Sequence, residues 1–262
     1  MKNRAKHGVA ASFSAVALLA GTVTQASATE ITQPTTMQGD LVATPAAYVD
    51  YLRHSGEEGA ADALKKFQRL TKTQQNKFID YLHDPALLKS LLEEAGNQGG
   101  GISVYSRSGK STTSLHNGDV TIGQERTISG RSSTAKGALP KGNHEAKYTT
   151  YVKYFGIKVI KLSLWVNFHS NGRDITKANH ADAGKTNLSG AISLSKGTPK
   201  KSLSKWTRCR TFDHCTSGHN VDASVVWEGN VLFKGSSFQI DKEQWMRAGV
   251  DGKLVSYYLH NV

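Results

Sequence analysis

After its first 28 residues the chain has no apolar run approaching the roughly 20 residues that a membrane-spanning helix requires, which excludes a helical membrane anchor there. Cysteine is nearly absent. The two that occur, Cys209 and Cys215, are too few for a disulfide-built scaffold and too close in sequence to bridge two sheets in the immunoglobulin manner. No serine stands in a G-x-S-x-G elbow, and neither an HExxH pair nor an EF-hand loop occurs, so the common signatures of serine hydrolases, zinc proteases and calcium sites are missing. Gly109-Lys110-Ser111 ends like a phosphate-binding loop, but that loop needs a glycine at position 104, where Val104 stands. No repeat at solenoid periods is present, and nothing in the sequence asks for a cofactor.

What is present begins with an export signal. Lys2, Arg4 and Lys6 precede an apolar stretch from Val9 to Ala20 and an Ala26-Ser27-Ala28 exit, so cleavage is expected after Ala28, leaving 234 residues in a secreted, extracellular protein. In that oxidising setting Cys209 and Cys215 are expected to form a disulfide closing a short loop. A metal site from Cys209, His214, Cys215 and His219 is the alternative, although its spacing matches no structural zinc pattern.

The chain is expected to be α+β in two parts: a small N-terminal helical unit followed by an antiparallel β-sandwich or barrel-like domain. Residues 29–43 read as a flexible N-terminus. Over 44–96 four short amphipathic helices follow one another. Thr44-Pro45 is a helix start because the hydroxyl can accept an orphan amide and proline has none to orphan. Glu57-Glu58 is expected to open the second helix, Thr71 to Gln74 forms a capping box, and Asp84-Pro85 caps the fourth helix. A core of about 50 residues is marginal, so this unit is expected to lean on the following domain or on a partner.

Residues 97–145 are rich in Gly, Ser and Thr and read as an irregular linker with weak strands at Ile102 to Ser106 and Val120 to Ser129. Over 146–262 the period becomes two. In Ile160 to Phe168 every even position is apolar, which predicts a strand with one buried face and Trp165 on the other. Short strand-like runs punctuated by Ser170-Asn171-Gly172, Ser217-Gly218, Glu228-Gly229-Asn230 and Lys234-Gly235 then continue to the end.

Charge is unevenly distributed. Residues 44–95 hold seven basic and eight acidic groups, whereas residues 97–262 hold 23 basic against 11 acidic, a surplus of twelve. Outside a cell such a surface meets an anionic polymer, an anionic membrane surface or an acidic protein. Lys196, Lys200, Lys201, Lys205, Arg208 and Arg210, with Trp206 among them and no acidic residue between, form the candidate binding segment, since cations and an aromatic together suit polyanions or a headgroup layer. The leading expectation is a secreted non-enzymatic binding protein. Two others stand beside it: a membrane-active or antibacterial toxin whose strands Tyr148 to Phe168 rearrange at a bilayer, and a hydrolase using His169, or His180 oriented by Asp182 in a polar loop.

Overall fold

The computed structural model describes residues 42–97, 108–129, 138–211, 214–233 and 236–262; the expected signal peptide at 1–28, nearly all of the expected flexible N-terminus at 29–43 and the expected weak strand at Ile102 to Ser106 lie outside them. Four helices come first: α1 (Pro45–His54), α2 (Ala60–Gln68), α3 (Lys72–Leu82) and α4 (Pro85–Asn97). Their starts follow the local chemistry. The Thr44 hydroxyl accepts the Ala47 amide at 3.1 Å, Thr71 and Gln74 close a reciprocal capping box, and the Asp84 carboxylate accepts the Leu87 amide at 2.8 Å. The second helix corrects the expectation that Glu57-Glu58 opens it. Both acids sit in the turn before α2 and reach instead to the β strands, Glu57 to Lys185 and Glu58 to Lys161.

Among the described residues ten strands follow, in two antiparallel sheets. One has the order β1 (Ser108–Leu115), β2 (Val120–Ile128), β3 (Gly142–Tyr154), β4 (Ile157–Ser170), β5 (Ile175–Asn187). The other runs β10 (Leu254–Asn261), β9 (Ser236–Ala248), β8 (His214–Phe233), β6 (Ile192–Lys196), with β7 (Lys200–Thr211) also paired to β8. The architecture is therefore α+β, mostly sheet. In β4 the even side chains Ile160, Leu162, Leu164, Val166 and Phe168 are all buried, as the alternation requires.

Two strands lie where the sequence reads as irregular. Ser108–Leu115 forms β1 by pairing along its whole length with β2, and Ile175–Asn187, which reads as a polar loop, is the edge strand β5 against β4. Both are polar because an edge strand covers little core, so their pairing comes from the neighbour and not from their own pattern. Likewise Ser217-Gly218 and Glu228-Gly229-Asn230 read as breaks, yet β8 runs through both.

The helices are bound into the sheets by buried contacts. Tyr48, Phe67 and Phe78 meet ring to ring at 4.9–5.1 Å, and Phe78 packs on Tyr154 of β3 at 5.7 Å. The Tyr48 hydroxyl donates to the Leu188 carbonyl at 2.9 Å, and Gln124 of β2 donates to the Ala95 carbonyl of α4 at 2.9 Å. Helices and sheets thus share one hydrophobic cluster, which is how so small a helical unit finds enough apolar surface to bury. The sheets are joined by a polar bridge as well: Gln244 of β9 accepts the Trp227 indole at 2.9 Å and donates to the carbonyls of Tyr148 and Leu162.

On β2 the Tyr151 ring of β3 lies directly over Gly123, and a Cβ there would stand 2.1 Å from the ring. Gly123→Ala should therefore displace the ring and cost about 1–3 kcal/mol by overpacking, measured by urea denaturation; a wild-type midpoint would show that the ring can swing clear.

Candidate functional site

β6 leaves β8 at the pair Lys196–Trp227, and after Gly197 to Pro199 the chain returns as β7 at the pair Lys200–Ser224. From there the register is continuous to Cys209–Cys215. On its other side β8 is lined by β9 only from Val221 onward. Residues Ser204 to Thr211 and His214 to Asn220 consequently pair only with each other, as a two-stranded ribbon running past the end of the sheet.

A lone pair of strands is marginally stable in water, and three local devices hold this one. Cys209 and Cys215 are joined by a disulfide at the far end. Their sulfurs are bonded to each other and so are unavailable to the alternative metal site; among the described residues no three His, Cys, Asp or Glu side chains gather closely enough to hold an ion. Midway, the half-buried Trp206 ring covers its cross-strand partner Gly218, whose absent Cβ would lie 2.8 Å from the indole. At the base, Asp174 from the β4–β5 turn accepts the His219 amide at 2.6 Å and faces the His219 ring at 2.8 Å.

Burial pushes the Asp174 carboxyl up, but the hydrogen bonds from the His219 ring, the His219 amide and the Ile175 amide outweigh it and hold the group below its ordinary range. A depressed folded value means that the anchor is complete above the unfolded value near pH 4 and is lost as pH falls through the lower folded one. Hydrogen-exchange protection of the ribbon amides at 214–220 should therefore hold down to about pH 4 and decline below it. Asp174→Ala should remove that protection already at neutral pH; unchanged protection would mean that the disulfide and Trp206 suffice.

Of the candidate binding residues, Lys200, Lys201, Lys205, Arg208 and Arg210 are exposed and make no ion pair among the described residues. Lys196 is different: its ammonium is 2.8 Å from Asp182 and 2.9 Å from the Ala183 carbonyl. The strand alternation also divides the set, with Lys201 and Lys205 on one face of β7 and Lys200, Trp206 and Arg208 on the other. The free edge of β7 lies between them.

Of the residues considered for hydrolysis, His169 and Asp182 have other partners. The His169 ring contacts the Asn143 side chain at 3.0 Å. His180 is exposed on β5, and Asp182 is held by Lys196, whose hydrogen bond draws the carboxyl below its usual range.

A feature that the sequence does not reveal adjoins the ribbon's foot. Lys200, Ser224, Trp245 and Tyr258 are successive cross-strand partners in one row over four strands, beside a groove of about 310 Å³. Trp245 stacks on Tyr258 at 5.1 Å, Tyr258 on His260 at 4.3 Å, and the Arg247 guanidinium covers Trp245 at 5.1 Å while binding Asp222 through two hydrogen bonds. The Trp245 and Tyr258 faces are spent on one another and on their neighbours, leaving ring edges outward. Along β9 burial alternates, with Lys242, Gln244 and Met246 inside and Glu243, Trp245 and Arg247 on the other face, but Lys242 and Gln244 are polar, so the residue types carry no period-two signal for it.

Among the described residues no helix is long and apolar enough to cross a membrane. No known protein family, curated protein or solved structure matches the chain.

Proposed function

We propose that the chain is a secreted, non-enzymatic binding protein whose β7–β8 ribbon engages an anionic polymer of the cell envelope. The observation that carries this reading is the charge of β7: five exposed cations, three of them on the ribbon, without a carboxylate partner among the described residues, on a strand pair that contains no acidic residue between Lys200 and Thr211 or between His214 and Asn220. In this reading the two sheets stack as a sandwich and serve as the rigid mount, while the ribbon, anchored by Asp174 and closed by the disulfide, presents cations from both its faces to a chain of anions.

The ribbon suits surface contact better than insertion into a bilayer. A membrane-crossing strand needs about 9–11 residues with one face apolar, and both faces here carry cations and hydroxyls, with Leu203 and Trp206 as the large apolar members of β7. Tyr148 to Phe168, the alternative inserting segment, forms the β3–β4 hairpin, whose buried side chains hold both sheets together.

The test is co-sedimentation with polyphosphate beads, with polyglutamate beads and with phosphatidylglycerol vesicles loaded with dye, each over a range of salt. Binding to polyphosphate that weakens steeply with salt, without dye release, is the expected result. Preference for polyglutamate would move the reading to an acidic protein partner, dye release would move it to a membrane-active protein, and salt-independent binding would sink it.

A further inference from the structure

Lys153 and Lys158 stand directly opposite each other across the β3–β4 hairpin, next to its two-residue turn at Phe155 and Gly156. Like charges in directly paired positions destabilise a sheet, and neither ammonium has a carboxylate partner among the described residues. What they share is one ring: Lys158 lies 4.8 Å and Lys153 4.9 Å from the Tyr151 centroid, with Lys110 at 6.0 Å. One buried phenol ring offsets only a small part of such repulsion. Burial, and then the neighbouring Lys158 and Lys110, hold Lys153 below the ordinary lysine range.

The same two lysines line a cleft of about 250 Å³ between the first turns of α2 and the β3–β4 hairpin. Lys66 and Lys161 line it too, but each is matched by an acid, Lys66 by Asp62 at 2.7 Å and Lys161 by Glu58 at 3.0 Å. After that matching the cleft keeps two ammoniums without an ion-pair partner among the described residues; Glu125, the acid whose charge reaches Lys153, is paired with Lys110 at 3.1 Å. Its volume is several times the roughly 30 Å³ that one water occupies in the liquid, so an oxyanion with part of an attached small molecule fits.

We infer that this cleft is a binding site for a small oxyanion group, a phosphate or sulfate ester, held between Lys153 and Lys158. It is separate from the ribbon. The cleft is at the Ile157 end of β4, whereas Asp174 anchors the ribbon just beyond the Ser170 end, a strand length of roughly 40 Å away. The two lysines are held in an unfavourable pairing that a bound oxyanion relieves, and such arrangements persist in folds where a ligand completes them.

Calorimetric titration of the whole protein tests this with inorganic phosphate, inorganic sulfate, glucose 6-phosphate and glucose 6-sulfate, at ionic strength fixed with chloride. At least one oxyanion should bind saturably at one site per chain, and the preferred pair identifies the source as phosphate or sulfate. Lys153→Gln with Lys158→Gln should weaken that binding tenfold or more, Lys153→Arg in the otherwise wild-type chain should largely preserve it, and the β7 variant with Lys200, Lys201 and Lys205 changed to Gln should leave it intact. That last arm separates failure here from failure of the ribbon reading. Thermal melts add a readout independent of heats. Lys158→Gln alone should melt no lower than wild type without anion, because it removes repulsion, yet it should lose the rise of ~5 °C that saturating oxyanion gives the wild type. Heats no different from chloride, or a double variant that binds like wild type, would overturn the assignment.

Discussion

Changing Lys200, Lys201 and Lys205 together to Gln should flatten the salt dependence of polyphosphate binding while leaving the thermal transition nearly unmoved. Each cation that neutralises a phosphate releases condensed counterion, so the log–log slope of affinity against salt counts the contacts. If all five β7 cations engage, affinity should fall roughly 500-fold between about 50 and 200 mM salt; with only Arg208 and Arg210 left, the fall should be roughly tenfold. Stability should stay put because exposed, unpaired cations contribute little to folding. An unchanged slope would mean that the ribbon is not the contact. The three lysines also flank a β edge that pairs with no other strand among the described residues, and charge on such an edge keeps it from joining another chain. Were that their whole purpose, the variant would self-associate in sedimentation and the wild type would show no polyanion affinity.

The second large effect separates two tryptophans that look alike in the sequence. Trp227 is buried on β8 and donates to Gln244, which in turn ties β9 to the carbonyls of β3 and β4. Trp227→Ala should therefore cost about 3–5 kcal/mol in chemical denaturation, by emptying core volume and leaving the Gln244 acceptor without its donor. Trp206 is half-buried and covers Gly218 on the ribbon, so Trp206→Ala should cost about 1 kcal/mol and reduce polyanion binding. Equal destabilisation by the two changes would place Trp206 in the core and leave the surrounding cations as bystanders.

Some of this was determined by the sequence alone, wherever the deciding interaction is local. Thr44, Thr71 and Asp84 cap helices through atoms three residues away, so short sequence spacing is sufficient evidence for them. The alternation in β4 identifies the buried even face from Ile160 to Phe168, because period two is a property of one strand, although Ser163 on the odd face is buried as well. Cys209 and Cys215, six residues apart with no competing cysteine, could bridge only to each other within the chain. Net charge and its asymmetry are likewise sums over residues.

Tertiary structure decided whatever depends on a neighbour distant in the chain. β5 is a strand because β4 offers it a ladder, not because of its own polar composition. Lys196 leaves the basic set only because Asp182, fourteen residues earlier on another strand, comes within 2.8 Å of it. β8 passes through Gly218 because the Trp206 ring needs the space that a side chain would fill. The pairing of Lys153 with Lys158 follows from the hairpin register, but the cleft they line exists only once α2 packs beside them. The physical division is between interactions closed within one element, which residue type and spacing specify, and those closed between elements, where whether a charge is free, paired or repelled depends on what the fold sets opposite it.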